Sequence, residues 1–179
     1  MENNIKLADI QVGDTFTVGK HTFIVLEQVG GRTFALTKDA ICNMAFGKSN
    51  NFAQSEVRTK LEDFAWEIME SIGEGNLIEH TVDLTSDDGL DDYGEVDTKA
   101  SLLTADMYRK YVRVIDRYKL DTWWWLATAF STTTHDDDYW VKCVSPHGNI
   151  NGDYRHHNGN GVRPFCIFVS DIVSDIFVS

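Results

Sequence analysis

Two clusters carry chemistry by residue type and spacing. His135-Asp136-Asp137-Asp138, and Asp153 with His156-His157, set imidazoles beside carboxylates, the donor types of a zinc or calcium site. Neighbours on an extended segment point to opposite sides, so adjacent residues of this kind do not converge on one tetrahedral ion. A third candidate is the acidic stretch Asp87-Asp88-Gly89-Leu90-Asp91-Asp92-Tyr93-Gly94-Glu95. It lacks the alternating oxygen ligands and closing glutamate of a calcium loop, and it reads as a solvated turn. None of the three cysteines, Cys42, Cys143 and Cys166, has metal-ligand spacing. Cys143 and Cys166 sit in apolar runs as small buried thiols. A nucleophilic thiol needs a base, His147 or His21, brought close by the fold, and nothing in the spacing demands one. Recognition remains: Tyr139, Trp140 and Tyr154 offer rigid aromatic area, and the surrounding Asn, Thr and Asp offer adaptable hydrogen bonds. Arg155 adds a bidentate contact to a carboxylate. No catalytic residue, metal ligand or cofactor is assigned.

These residues lie between two strand-like runs, Trp123-Trp124-Trp125-Leu126-Ala127-Thr128 and Gly161-Val162-Arg163-Pro164-Phe165-Cys166-Ile167-Phe168. Both are short, aromatic and β-branched, and turn residues bound them. Trp123-Trp124-Trp125 followed by Leu126-Ala127 reads as a buried strand rather than an exposed platform. The runs between, Ser131 to Tyr139 and Asn149 to Asn160, have little apolar periodicity. A rigid frame displaying irregular polar segments is a common way to build a binding surface. From the first run and its flanks the display set takes Phe130, Thr132, Thr134, His135, Asp136, Asp137, Asp138, Tyr139 and Trp140. From the second it takes Asn151, Asp153, Tyr154, Arg155, His156, His157, Asn158 and Asn160. Residues 135–139 and 153–158 are expected to form one contiguous exposed patch.

The rest of the chain must hold that frame. One domain of α+β class is expected over residues 1–179, with an N-terminal β meander (1–50), two helices with intervening strands (55–117) and the display frame (123–168). Thr15 to Val18 and His21 to Leu26 flank a Gly19-Lys20 turn, and Arg32 to Thr37 follows. Val57, Leu61, Phe64, Ala65, Ile68, Met69 and Ile72 share one face of a helix capped by Ser55 and ended by Gly73. A second helix after Thr104 turns Met107, Tyr108, Tyr111 and Ile115 inward. Ile78 to Leu84, Lys99 to Leu103 and Tyr139 to Ser145 read as strands, Pro146-His147-Gly148-Asn149 as a turn, and Gly161 as the start of one closing strand. Within it, Arg163 is expected to be structural and paired. The tail echoes itself, Val169-Ser170-Asp171-Ile172 beside Val173-Ser174-Asp175-Ile176, which suits a closing edge strand.

Composition narrows the partners. The net charge is −12, with no cluster of Lys or Arg, which argues against nucleic acid. Met1 to Lys6 has no apolar signal core and no run approaches a membrane span, so synthesis in the cytosol without membrane insertion is expected. The sequence is silent on oligomeric state.

Trp124-Trp125-Leu126-Ala127-Thr128, Val144-Ser145-Pro146-His147-Gly148-Asn149-Ile150 and Gly161-Val162-Arg163-Pro164 resemble a bacterial and phage domain family of unknown function. Its members carry a Trp-Trp-Leu-Arg-Ser-Pro-like strand, a Gly-centred turn and a closing Gly-Val-Arg-Pro. The meander, the Ser55 helix and Ser101-Leu102-Leu103-Thr104 are similar too, so the likeness covers most of the chain; Ala127-Thr128 replaces the usual Arg-Ser. The ending also resembles the closing strand of C-type-lectin-like proteins, including formylglycine-generating enzymes and the variable proteins of diversity-generating retroelements. The first of these implies a thiol oxidase-like activity that would need Cys143 and Cys166 to meet. The second implies a C-type-lectin-like fold, two helices packed on a mainly antiparallel sheet, that presents a variable surface to a protein or glycan on a cell surface. Adenine mutagenesis of Asn codons never yields Lys, Glu, Gln, Met or Trp. Those five make up 30 of 179 residues, yet none occurs in the 19 residues from Cys143 to Gly161. The alternatives are a metal-dependent lectin or enzyme built from the His/Asp clusters, with calcium or zinc, and a structural virion subunit.

Overall fold

The computed structural model describes residues 5–173. In chain order its elements are β1 (Thr15–Val18), β2 (His21–Val29), β3 (Arg32–Thr37), β4 (Cys42–Asn43), α1 (Glu56–Ile72), β5 (Leu77–Ile78), β6 (His80–Asp83), β7 (Glu95–Thr98), β8 (Ala100–Ser101), α2 (Ala105–Ile115), β9 (Trp124–Ala129), β10 (Trp140–Val144), β11 (Ile150–Tyr154), β12 (Gly161–Val162) and β13 (Phe165–Val169). The mixed α and β class is as expected, mostly sheet with two helices.

Local chemistry accounts for several boundaries. Gly19 takes φ +58° so that Val18 and His21 can pair across a two-residue turn. The Ser55 hydroxyl accepts the Arg58 N–H at 3.0 Å to start α1, and all seven stripe residues of that helix are buried. Thr104 caps α2 through the Met107 N–H at 3.1 Å. Tyr108, Tyr111 and Ile115 are buried beneath α2, and Met107 is half-buried.

The strands form a large sheet in the order β1-β2-β3-β13-β5, with β8 also on β13, and a smaller sheet in the order β11-β10-β9-β12-β4. β6 and β7 make a separate hairpin. Every pairing among the described strands is antiparallel except β12 on β9. Successive residues of the central strands enter different cores. Phe23, Cys166 and Trp125 join α1 in one cluster; Ile24, Ile167 and Trp124 join α2 in the other. The helices therefore cover opposite faces, and Trp124 and Trp125 are 2% and 0% exposed as expected for a buried strand, whereas Trp123 precedes β9 and is exposed.

Two expected strands divide. Leu77-Ile78 is captured by β13, whereas His80 to Asp83 pairs with β7, where Val96 and Thr98 turn inward and Glu95 and Asp97 outward. The closing run is also two strands, β12 in the small sheet and β13 in the large one. Pro164 has no N–H to give a ladder, so the chain leaves one sheet at Arg163-Pro164 and enters the other. At the tail, the Leu7 and Ala8 N–H groups donate to Ile172 and Ser170, and Lys6 bridges Val173. The rest of the second echo, Ser174-Asp175-Ile176, lies outside the described residues. No helix among the described residues is long and apolar enough to cross a membrane.

Arg163 sits at the sheet-to-sheet crossing, fully buried. Its Nε donates to Thr37 O at 2.8 Å, and its Nη2 donates to Lys38 O at 2.8 Å and Tyr118 O at 2.9 Å. The guanidinium also lies 5.0 Å from the Trp124 ring centroid. Burial draws its pKa down to about 10, opposed by Asp39, so it stays charged at neutral pH. Arg163→Ala is expected to strand those carbonyls and cost about 3 kcal/mol or more. For a chain of this length that lowers Tm by roughly 6–12 °C. A thermal melt matching the parent would refute the structural role.

Candidate functional site

The display residues are organised by an edge hairpin. β10 and β11 pair from Trp140↔Tyr154 to Val144↔Ile150. In the connecting turn Gly148 takes φ +91°, and its carbonyl accepts the Tyr108 hydroxyl of α2 at 2.7 Å. β11 lies inside a run that reads as irregular in sequence. As an edge strand with both sides near solvent it needs no apolar alternation, which left it without a signal.

On this hairpin, large apolar rings stay in water. Phe130, Tyr139, Trp140 and Tyr154 are 47%, 42%, 46% and 37% exposed, while the frame strand β9 is buried throughout. Tyr139 and Tyr154 stack at 5.7 Å with their planes 6° apart. Trp140 meets Tyr154 edge-on at 5.9 Å, and His156 does so at 5.1 Å. Phe130 joins through its N–H, which donates to Trp140 O at 2.9 Å, and the Lys142 ammonium lies 5.1 Å from its ring centroid. Tyr139, Trp140 and Tyr154 thus form a contiguous cluster of exposed rings.

Polar groups hold the patch from behind. Asn50, fully buried, donates from Nδ2 to Ser131 O at 3.0 Å and Trp140 O at 3.1 Å, and from its N–H to Asp138 O at 3.0 Å. Its Oδ1 accepts the Tyr93 hydroxyl at 2.6 Å. Sequence reasoning missed Asn50, because a lone Asn in an aperiodic segment carries no signal of its partners. The acidic stretch is an exposed turn, as expected, and two of its carboxylates also reach the display segment. Asp88 accepts the Ser131 hydroxyl at 2.6 Å and pairs with His135 at 2.9 Å. Asp92 accepts the Thr132 hydroxyl and, at 2.6 Å, that of Thr134. Hydrogen bonds from Ser131, Ser86 and His135 hold the Asp88 carboxyl well below the usual range, and those from Thr132 and Thr134 lower Asp92.

Of the predicted display residues, Phe130, Thr134, His135, Asp136, Tyr139, Trp140, Asn151, Tyr154, His156, His157 and Asn158 are exposed. Asp137, Asp138 and Asp153 are half-buried. Thr132, Arg155 and Asn160 are buried and belong to the scaffold, a correction with three local causes. Thr132 is tied to Asp92 and caps a short 3-10 turn. Asn160 donates to Asp153 at 2.9 Å, beside the His157–Asp153 contact at 2.7 Å. Arg155 is not offered to a ligand carboxylate. Its guanidinium bonds Lys48 O, lies 3.4 Å from the Asp138 carboxylate and sits 4.8 Å from the Tyr139 ring centroid. The two runs meet through their rings, whereas His135 is drawn to Asp88. Asp136 takes a left-handed φ of +55°, the only such non-glycine among the described residues.

Among the described residues no group of three or more His, Cys, Asp or Glu is placed to hold a metal ion. Cys143 and Cys166 lie on β10 and β13, in different sheets, and all three cysteines are free. Burial pushes the Cys143 thiol up to about 12 and raises Cys166 as well, so neither is poised as a thiolate. Compared with protein-family models, curated proteins and solved structures, the chain matches none.

Two outcomes test the bracing. Asn50→Ala is expected to leave buried carbonyls without donors and to cost about 2 kcal/mol or more in chemical denaturation. Loss of near-ultraviolet dichroism from the Trp140 region should accompany it. The Asp88 and Asp92 carboxyls are lowered in the folded state, so their contribution is complete above the ordinary carboxyl value near about 4 and fades as pH falls through the lowered values. The Tm difference between parent and an Asp88→Asn, Asp92→Asn double variant should therefore be largest at neutral pH and close in acid. A difference independent of pH would show that the carboxylates do not brace the segment.

Proposed function

We propose that this protein is a non-catalytic ligand-binding display protein, of the kind made variable by a diversity-generating retroelement, with a C-type-lectin-like frame. Its target is a protein or glycan on a cell surface; nucleic acid and membrane insertion play no part. The observation that carries this reading is the exposed cluster of Tyr139, Trp140 and Tyr154 at a hairpin whose inner strand, β10, is buried from Val141 to Val144. Exposed rings gain free energy when a partner covers them, and rigid aromatic side chains do so at low entropic cost. The stretch that lacks Lys, Glu, Gln, Met and Trp contains β11 and the loop after it, where Tyr154, His156 and Asn158 face solvent. Trp140, a residue type that such mutagenesis does not produce, then serves as a constant anchor beside a variable Tyr154.

A pooled variant tests this: Asp136, Tyr139, Tyr154, His156 and Asn158 all changed to Ser, with the structural Thr132, Arg155 and Asn160 left in place. Exposed polar changes cost little, usually under about 0.5 kcal/mol each. Including about 1 kcal/mol for the lost ring stacking, the total stays under about 3.5 kcal/mol and Tm should fall by no more than roughly 7–14 °C, with the fold retained. Binding to bacterial surface preparations should disappear or be redirected. Collapse of the fold, or binding equal to the parent's, would show these residues to be scaffold.

A further inference from the structure

We infer that the group this surface receives is cationic, an arginine or lysine side chain on a basic loop of a partner protein; this rests on the display reading above and names its partner class. Ring faces attract cations within about 6 Å of their centroids. The molecule already uses its own rings in this way: the Arg155 guanidinium lies 4.8 Å from Tyr139 and the Lys142 ammonium 5.1 Å from Phe130. Both of those cations are only 9% exposed and are committed inward, Arg155 to Lys48 O and Asp138, Lys142 to Asp87 at 3.2 Å. Neither projects charge to a ligand.

The rim is negative. Asp137 Oδ1 accepts the N–H groups of Tyr139 and Trp140 at 2.9 and 3.2 Å, and Asp153 Oδ1 accepts that of Tyr154 at 2.7 Å. The backbone of the aromatic residues thus holds two carboxylates beside the ring cluster, and Asp136 is an exposed third carboxylate next in sequence to Asp137. Trp140 and His156 meet Tyr154 with their planes at 73° and 64° to it while Tyr139 stacks parallel, so the rings do not form one flat platform. Rings with carboxylates beside them suit a compact cation; a neutral sugar can donate hydroxyls to those carboxylates but gains no ion pairing from them. Phosphate or sialate groups would be repelled by the same rim and by the net charge of −12.

The test is fluorescence-anisotropy titration of the full chain at physiological salt with three probes: a labelled tetra-arginine peptide, its tetra-citrulline counterpart and maltoheptaose. Citrulline keeps the size and planar shape of arginine, with a neutral urea in place of the guanidinium. The arginine peptide should bind roughly tenfold or more tighter than the citrulline peptide and the sugar. A Trp140→Ala, Tyr154→Ala variant keeps every charge and should weaken arginine binding by about tenfold. Equal binding of the arginine and citrulline peptides by the parent would overturn the assignment, and that comparison needs no variant. Undiminished arginine binding by a folded double variant would overturn it too, as attraction by diffuse charge alone; so would preference for maltoheptaose. If the pooled serine variant loses its hold on surface preparations while the parent ignores the arginine peptide, the cationic assignment falls and the display reading stands.

Discussion

A buried guanidinium at the crossing of two sheets is the constraint on which the rest of this structure depends. Arg163 leaves the small sheet at β12, bonds the carbonyls of Thr37, Lys38 and Tyr118, and hands the chain to β13 in the large sheet. Its charge is dispersed over carbonyl dipoles and the Trp124 ring without an ion pair to a carboxylate. A planar fork of donors is the side chain that can bond three carbonyls from separate segments at once. That junction sets β13 against β3 and β12 against β9. β9 in turn sends Trp124 and Trp125 into opposite cores and supplies the strand on which the display hairpin is laid.

Beyond β9 the chain divides its polar residues into two kinds. Asn50, Thr132, Arg155 and Asn160 are buried and spend their hydrogen bonds on backbone carbonyls and on Asp92, Asp138 and Asp153. Asp136, His156 and Asn158 face water. Irregular backbone is stable only when its carbonyls and amides are paired, and here they are paired from behind. The exposed side chains are thereby released from holding the fold. Substitutions at these exposed positions leave the bonds behind intact.

The acidic stretch follows the same logic. Its carboxylates are too far apart in use to make a cation site, since Asp88 serves Ser131 and His135 while Asp92 serves Thr132 and Thr134. A separate pair, Asp137 and Asp153, accepts the backbone N–H groups of Tyr139, Trp140 and Tyr154.

The sequence by itself determined what depends on neighbours a few residues apart. The stripe of α1 from Val57 to Ile72, the Ser55 and Thr104 caps, the Gly19 turn and the burial of Trp124-Trp125 are all consequences of local spacing and residue type. Tertiary structure decided what depends on partners far away. β11 has no alternation to reveal it, because an edge strand exists through pairing with β10. Arg155 and Phe130 carry residue types that suit either core or surface, and only the arrival of Lys48 O, more than a hundred residues earlier, sends Arg155 inward. Asn50 meets Ser131 across 81 positions, and Asp92 meets Thr132 across 40. A short-range pattern cannot encode which distant carbonyl a lone polar side chain will find, so the bracing of the display surface was settled only when the chain closed on itself.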